Sequence, residues 1–129
     1  VRRAKSTELE FVTEQGGFRL ATSVGGTLTG RGGDLIIIDD PIKPQDAQSE
    51  ARRRDCVDWY SNTLLSRLDD KTSGAIVVVM QRVHVDDLAG HLLEQAGWEV
   101  LSLPAIAGDL GVSPEQGTEN LLAAFEGHG

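Results

Sequence analysis

The sequence has 129 residues, enough for one small domain, and its 40% apolar content with few aromatics means the core must rest on Ile, Val and Leu. The net charge is −8, yet all twelve Lys and Arg lie at or before Arg82, where twelve Asp and Glu balance them, so an independent DNA-binding module is disfavoured for want of cations. No apolar run reaches the roughly 18–20 residues that span a bilayer, no apolar stretch follows the first basic residues as in a secretion signal, and the single Cys56 excludes an internal disulfide and fits a reducing compartment. The chain starts with Val1 rather than Met, the start expected of a fragment or a processed chain.

Residues 8–13 alternate as a strand, "EQGG" turns the chain, and Phe18–Thr22 forms the hairpin partner. A Gly-rich loop, "VGGTLTGRGGD", leads into Leu35–Ile38, four apolar residues in a row. Such a run predicts a strand buried on both faces of a parallel sheet. "DDPIKP" ends it, because its two prolines forbid regular structure. Helical spacing runs from about Asp46 to Leu68, with Val57, Tyr60, Leu64 and Leu68 on one face. Within it Cys56 is a small core residue, Arg52, Arg53 and Arg54 form a solvated face, and Trp59 and Tyr60 serve packing. Ala75–Met80 is a second apolar strand. Val85–Ala96 is a second helix, with Leu88, Leu92 and Ala96 on one stripe and Gly97 placed to end it. Trp98–Leu103 is a third core strand, closed by Pro104. The order strand, helix, strand, helix, strand predicts a parallel α/β sheet with right-handed crossovers. The organisation expected is a domain over 1–107 and a linker or truncated tail over 108–129, with a weak helix near Asn120–Phe125.

Three features carry chemistry. First, "LIIIDD" ends a core strand in Asp39 and Asp40. Ligands of open α/β sheets bind at the carboxyl ends of strands. Two adjacent carboxylates there suit a magnesium-nucleotide site, the first holding the metal shell and the second polarising the attacking water. The same pair also suits a plain turn, because Asp begins turns. Second, Gln81, Arg82 and His84 emerge at the end of the next core strand. A polar group there can sense a γ-phosphate and pass the signal on, or simply form a solvated loop. Third, Arg31 sits in the Gly-rich loop, a candidate arginine finger or a surface arginine. Gly25 and Gly30 have the spacing of a phosphate-binding loop. Arg31 and Gly32 follow where that loop needs Lys and then Ser or Thr. His84, Asp87 and His91 share a helical stretch but lack the tight spacing of a zinc site.

Three blocks together resemble phage terminase large subunits, in the branch whose first acidic motif reads "DDP". They are "SVGGTLTGRGGDLIIIDDPIK", "WYSNTLLSRL", and "VVVMQRVHVDDLAGHLLE" followed by "WEVLSLPAIA". The resemblance runs from about Gly16 to Ala107. It implies a partial P-loop NTPase of ASCE type, a parallel sheet with flanking helices and an N-terminal β-hairpin. It makes "IIIDD" the Walker B motif, with Asp39 binding Mg²⁺ and Asp40 where many relatives have the catalytic Glu. "MQRVHVDDLAG" resembles the coupling motif, although Gln81-Arg82-Val83-His84 stands where members often carry Thr-Arg-Trp-His. Arg31 lies in the stretch where such motors place an arginine finger.

The function implied is ATP-driven translocation of viral double-stranded DNA into the capsid. A ring of subunits would act with the terminase small subunit and the procapsid portal, in the bacterial host cytoplasm and with no membrane. The sequence holds neither the family's Walker A loop nor its nuclease domain, so this chain alone is expected to show no ATPase activity. The rival readings are a prophage remnant or split-gene fragment, and a helicase-like DNA translocase fragment. The last would need helicase motifs, and none follows Ala107.

Overall fold

The structure is a computed structural model, and it describes residues 3–7, 9–26, 28, 30–104 and 119–126. Short strands β1 (Arg3–Ser6), β2 (Glu10–Thr13) and β3 (Phe18–Leu20) form an antiparallel three-stranded sheet. The β2–β3 hairpin falls where the alternating pattern puts it, and Gly16 turns it at φ +89°. Strand β1 adds a third member that the sequence pattern does not signal.

The second sheet carries the core. It contains β4 (Leu35–Asp39), β5 (Ala75–Gln81), β6 (Trp98–Pro104) and β7 (Glu119–Glu126), in the order β4-β5-β7-β6. Strands β4 and β5 pair in parallel, Leu35 opposite Ala75 through Asp39 opposite Val79. The helical segment between them starts with α1 (Pro44–Ala47) and α2 (Glu50–Trp59). Pro44 opens α1 at a position where its missing N–H costs nothing. Ser49 caps α2 by accepting the Arg52 N–H. One wider π turn follows at Tyr60–Leu64, where the Leu65 N–H bonds the Tyr60 carbonyl. A 3₁₀ turn then closes the segment at Leu65–Arg67. The irregular turns leave Tyr60, Leu64 and Leu68 all buried, so the apolar face expected from their spacing is present.

That face lies on Ile38, Ile76, Val78 and Met80, joined by Leu88, Ala89 and Leu92 of α3 (Leu88–Leu93). Cys56 is buried among them, as its place in the sequence suggests. Its thiol is pushed up to about 11, by burial first and by the Asp87 charge second. Burial likewise pushes the Tyr60 phenol up to about 12. Helix α3 is shorter than its sequence pattern, and Ala96 is exposed beyond its end.

Two expectations are corrected. Strand β4 is not buried on both faces: Ile38 is 4% exposed, but Leu35 and Ile37 on the other face are 57% and 63% exposed. Among the described residues the helices cover one face only, so the apolar run reports strand character and not double burial. The sheet is also mixed and not parallel throughout. Strands β5 and β6 run in parallel but do not touch, because β7 lies between them, antiparallel to both. Residues 119–126 therefore form a strand where a weak helix near Asn120–Phe125 is expected. Leu and Ala favour helices intrinsically, and pairing on both sides overrides that preference. The result is a mixed α/β fold with two small sheets. No helix among the described residues is long and apolar enough to cross a membrane.

Candidate functional site

Asp39 and Asp40 stand at the carboxyl end of β4, and both are exposed. Asp39 continues the alternation of Leu35 and Ile37, so it lies on the open face of the sheet. Asp40 has φ +43°, and it is the one non-glycine residue at positive φ among the described residues. Asp tolerates this left-handed region better than most residues, but the following Pro41 normally pushes its predecessor into extended backbone. The Asp40 N–H donates to the Val79 carbonyl at 2.9 Å. Its carboxylate turns back across the strand ends, where Oδ1 accepts the Gln81 N–H at a long 3.4 Å. The two strand ends singled out in the sequence thus meet. Gln81, like Asp39, is exposed.

Just beyond Gln81 the backbone is tied into a knot around Asp87, whose side chain is completely buried. Asp87 caps α3 by accepting the Gly90 N–H at 2.9 Å through Oδ1. Its Oδ2 accepts the N–H groups of Val83 at 3.0 Å and His84 at 3.2 Å. The Arg82 Nε lies 3.1 Å from Oδ1 and 3.3 Å from Oδ2. Arg82 Nη2 also donates to the carbonyls of His84 at 3.3 Å and Val85 at 3.1 Å. Gly90 has no room for a side chain, because a Cβ there would fall on the Val85 carbonyl oxygen and lie 3.2 Å from Arg82 Nη2. Arg82 is therefore structural in this arrangement. It locks the loop that leads from β5 into α3.

The sequence pattern undervalued Asp87. Its signal was the spacing Asp87-Leu-Ala-Gly90, an acidic cap three residues before the amide that it binds. His84 is half-buried, and its Nδ1 accepts the Asp86 N–H at 3.0 Å, which leaves the proton of the neutral ring on Nε2. His91 meets Gln95, with 2.9 Å between their Nε2 atoms. The trio His84, Asp87 and His91 does not converge, and no group of three metal-ligating side chains occurs among the described residues.

Arg31 lies elsewhere. It precedes β4, at the end of the strand opposite to Asp39 and Asp40. Its guanidinium pairs with Glu10 and stacks 5.1 Å from the Phe18 ring centroid. It fastens the hairpin sheet to the Gly-rich loop and is not brought to the carboxylates. Beside it a shallow cavity of about 190 Å³ is lined by Gly30, Arg31, Gly32, Ser66, Arg67 and Asp69.

Two exposed carboxylates at a strand end suit Mg²⁺, which keeps most of its water and takes few protein ligands. The described residues offer no matching cradle for nucleotide phosphates. The Gly-rich loop sits at the wrong end of β4 and lacks the Lys that such a loop needs. The site is thus two exposed neighbouring carboxylates, of which Asp40 meets a backbone amide of the adjacent strand, followed by the loop that Asp87 ties together.

No protein-family model matches the chain, and comparisons with curated proteins and with solved structures found no match.

Proposed function

We propose that this chain is the Walker B and coupling-motif part of the ATP-driven motor of a phage terminase large subunit. That enzyme moves viral double-stranded DNA into the capsid. The observation that supports the reading is the strained Asp40 beside Asp39, bonded to Gln81 where two parallel strands end together. Backbone strain of this kind concentrates at functional sites. In this reading Asp39 holds the magnesium shell and Asp40 orients the attacking water. Gln81 faces the γ-phosphate and, through the Arg82–Asp87 knot, hands its displacement to α3. The phosphates themselves would rest on a loop outside these 129 residues. The partners are then the DNA, the terminase small subunit, the portal and further copies in a ring, in the cytoplasm of the bacterial host. Arg31 fits an arginine finger only if it acts on a neighbouring subunit, because its own chain places it away from Asp40.

The test is phosphate release from Mg-ATP by the product of the reading frame that contains these residues. Asp40→Asn is expected to lower turnover by about 10²–10⁴-fold, the usual contribution of a positioned proton acceptor. Turnover unchanged by Asp40→Asn would overturn the assignment. The 129-residue chain by itself is expected to show none, and turnover there that Asp40→Asn abolishes would show that no outside loop is needed.

A further inference from the structure

We propose that the cavity beside Arg31 binds a phosphate group that keeps a proton, either free phosphate or the phosphate monoester of a small molecule. Its walls are two stretches of chain that hold each other. The Gly33 N–H donates to the Arg67 carbonyl at 3.0 Å, and the Asp69 N–H donates to the Gly33 carbonyl at 3.1 Å. A Cβ at Gly32 would lie 2.7 Å from the Arg67 carbonyl oxygen and would overlap the Asp69 carboxylate, so any side chain there would force the stretches apart. Arg67 is the residue that points to an anion. It lines the cavity, its side chain meets no acceptor among the described residues, and its Nε is shielded from solvent. A buried donor without a partner carries its full desolvation cost, so this one calls for an acceptor from outside the chain. Arg31, also in the lining, is held by Glu10 through Nη2 and by its stack on Phe18. A guanidinium has five N–H donors, so that one contact does not use up its fork.

The same lining holds two acceptors, and these select among anions. The Asp69 carboxylate is exposed and has no side-chain partner among the described residues. The Ser66 hydroxyl gives its proton to the Thr63 carbonyl at 2.7 Å, which leaves only its lone pairs for a ligand. Two guanidinium groups beside two acceptors suit a ligand that is anionic yet still carries an O–H donor. A phosphate monoester is half protonated at about pH 6. Sulfate and phosphodiesters carry no such proton, and they would set bare oxygens against Asp69. The cavity lies at the end of β4 opposite to Asp39 and Asp40, and this inference does not rest on the motor reading.

The test titrates the isotopically labelled full chain with inorganic phosphate at about pH 6 and fixed ionic strength, and follows the arginine Nε–H signals by nuclear magnetic resonance. A saturable shift of the Arg67 signal is expected, while the Arg82 signal, tied to Asp87, stays in place. Sulfate should bind at least about tenfold more weakly, and Asp69→Asn, which brings a donor of its own, should narrow that gap. Arg67→Gln should weaken phosphate binding by at least about tenfold. No saturable shift of Arg67, sulfate binding as well as phosphate, or an unchanged preference in Asp69→Asn would each overturn the proposal. So would phosphate binding that Arg67→Gln leaves unaltered. Should Arg67→Gln fail to fold, the sulfate comparison and Asp69→Asn decide, because Asp69 is exposed and its loss removes no contact of the fold. Glycerol phosphate separates the two sources: tighter binding than inorganic phosphate supports a small-molecule monoester, and equal or weaker binding supports free phosphate.

Discussion

Replacing Asp87 by Ala should be among the most damaging single changes outside the apolar core. The substitution removes the acceptor of three backbone N–H groups, on Val83, His84 and Gly90, together with the charge partner of Arg82. Loss of a helix cap costs about 1 kcal/mol. Removing one member of a buried ion pair costs about 3–5 kcal/mol. Arg82 is 23% exposed and keeps its two carbonyl acceptors, so the lower end of that range applies. The contributions overlap and do not simply add. The total should fall at about 3–4 kcal/mol, a large share of the 5–15 kcal/mol typical of a domain. Urea unfolding followed by far-ultraviolet circular dichroism measures it, with the m-value held as a check on two-state behaviour. Arg82→Ala and the double variant complete a cycle, whose coupling should be about 1.5–3 kcal/mol. A cost below 1 kcal/mol for Asp87→Ala, or additive single effects, would refute the knot as described.

Further outcomes follow from other parts of the structure. Ile76→Ala, at a fully buried position of β5 within the core cluster shared with the helices, should cost about 3–4 kcal/mol in the same urea assay. Gly90→Ala should destabilise by about 2 kcal/mol despite the better helix propensity of Ala, because its Cβ would overlap the Val85 carbonyl; a stabilised variant would refute that crowding. Asp40→Gly should leave stability unchanged or raise it by up to about 1 kcal/mol by relieving the left-handed strain, and a loss above 1 kcal/mol in the urea midpoint would contradict the strain. Stability should fall on the alkaline side. The Cys56 and Tyr60 protons are held more tightly in the folded chain, so their contribution is complete below about pH 9 and is lost as pH rises towards about 11–12. Urea midpoints at rising pH test this, and Cys56→Ser should remove the earlier part of the loss.

The legibility of this chain follows the range of its contacts. The β2–β3 hairpin, β4, β5 and β6 lie where their patterns place them, because alternation and apolar runs are local signals. The face made by Tyr60, Leu64 and Leu68 was also local, although the turn that carries it widens into a π turn. The open side of β4 was not legible. Leu35 and Ile37 look the same in sequence whether or not a layer covers them. Strand β7 was not legible either, since "ENLLAAFE" has helical composition and becomes a strand only through partners fifteen or more residues away. At the site, the convergence of Asp39, Asp40 and Gln81 followed from strand ends meeting in a parallel pair. The separation of Arg31 needed the direction of β4, because a residue before a strand and a residue after it sit at opposite ends of the sheet.

The contrast between Asp40 and Asp87 bears on how a displacement could travel through this molecule. Asp40 sits on a strained backbone with one long hydrogen bond from Gln81, so little holds its carboxylate in place. Asp87, six residues beyond Gln81, is completely buried and binds three amides and a guanidinium. A soft contact joined to a stiff one lets Gln81 shift locally while the residues held by Asp87 move together. Whatever moves Gln81 must carry the loop through Val83 and His84 as a body, because their amides share one carboxylate oxygen, and α3 must follow, because the other oxygen caps it. The strained turn supplies the freedom and the knot supplies the linkage. On the motor reading proposed above, Asp40→Asn and Asp87→Asn should therefore separate: the first lowering nucleotide turnover, the second uncoupling turnover from DNA movement while phosphate release persists. If Asp87→Asn lowered both in proportion, the knot would be part of the site's fold and not a transmitting element.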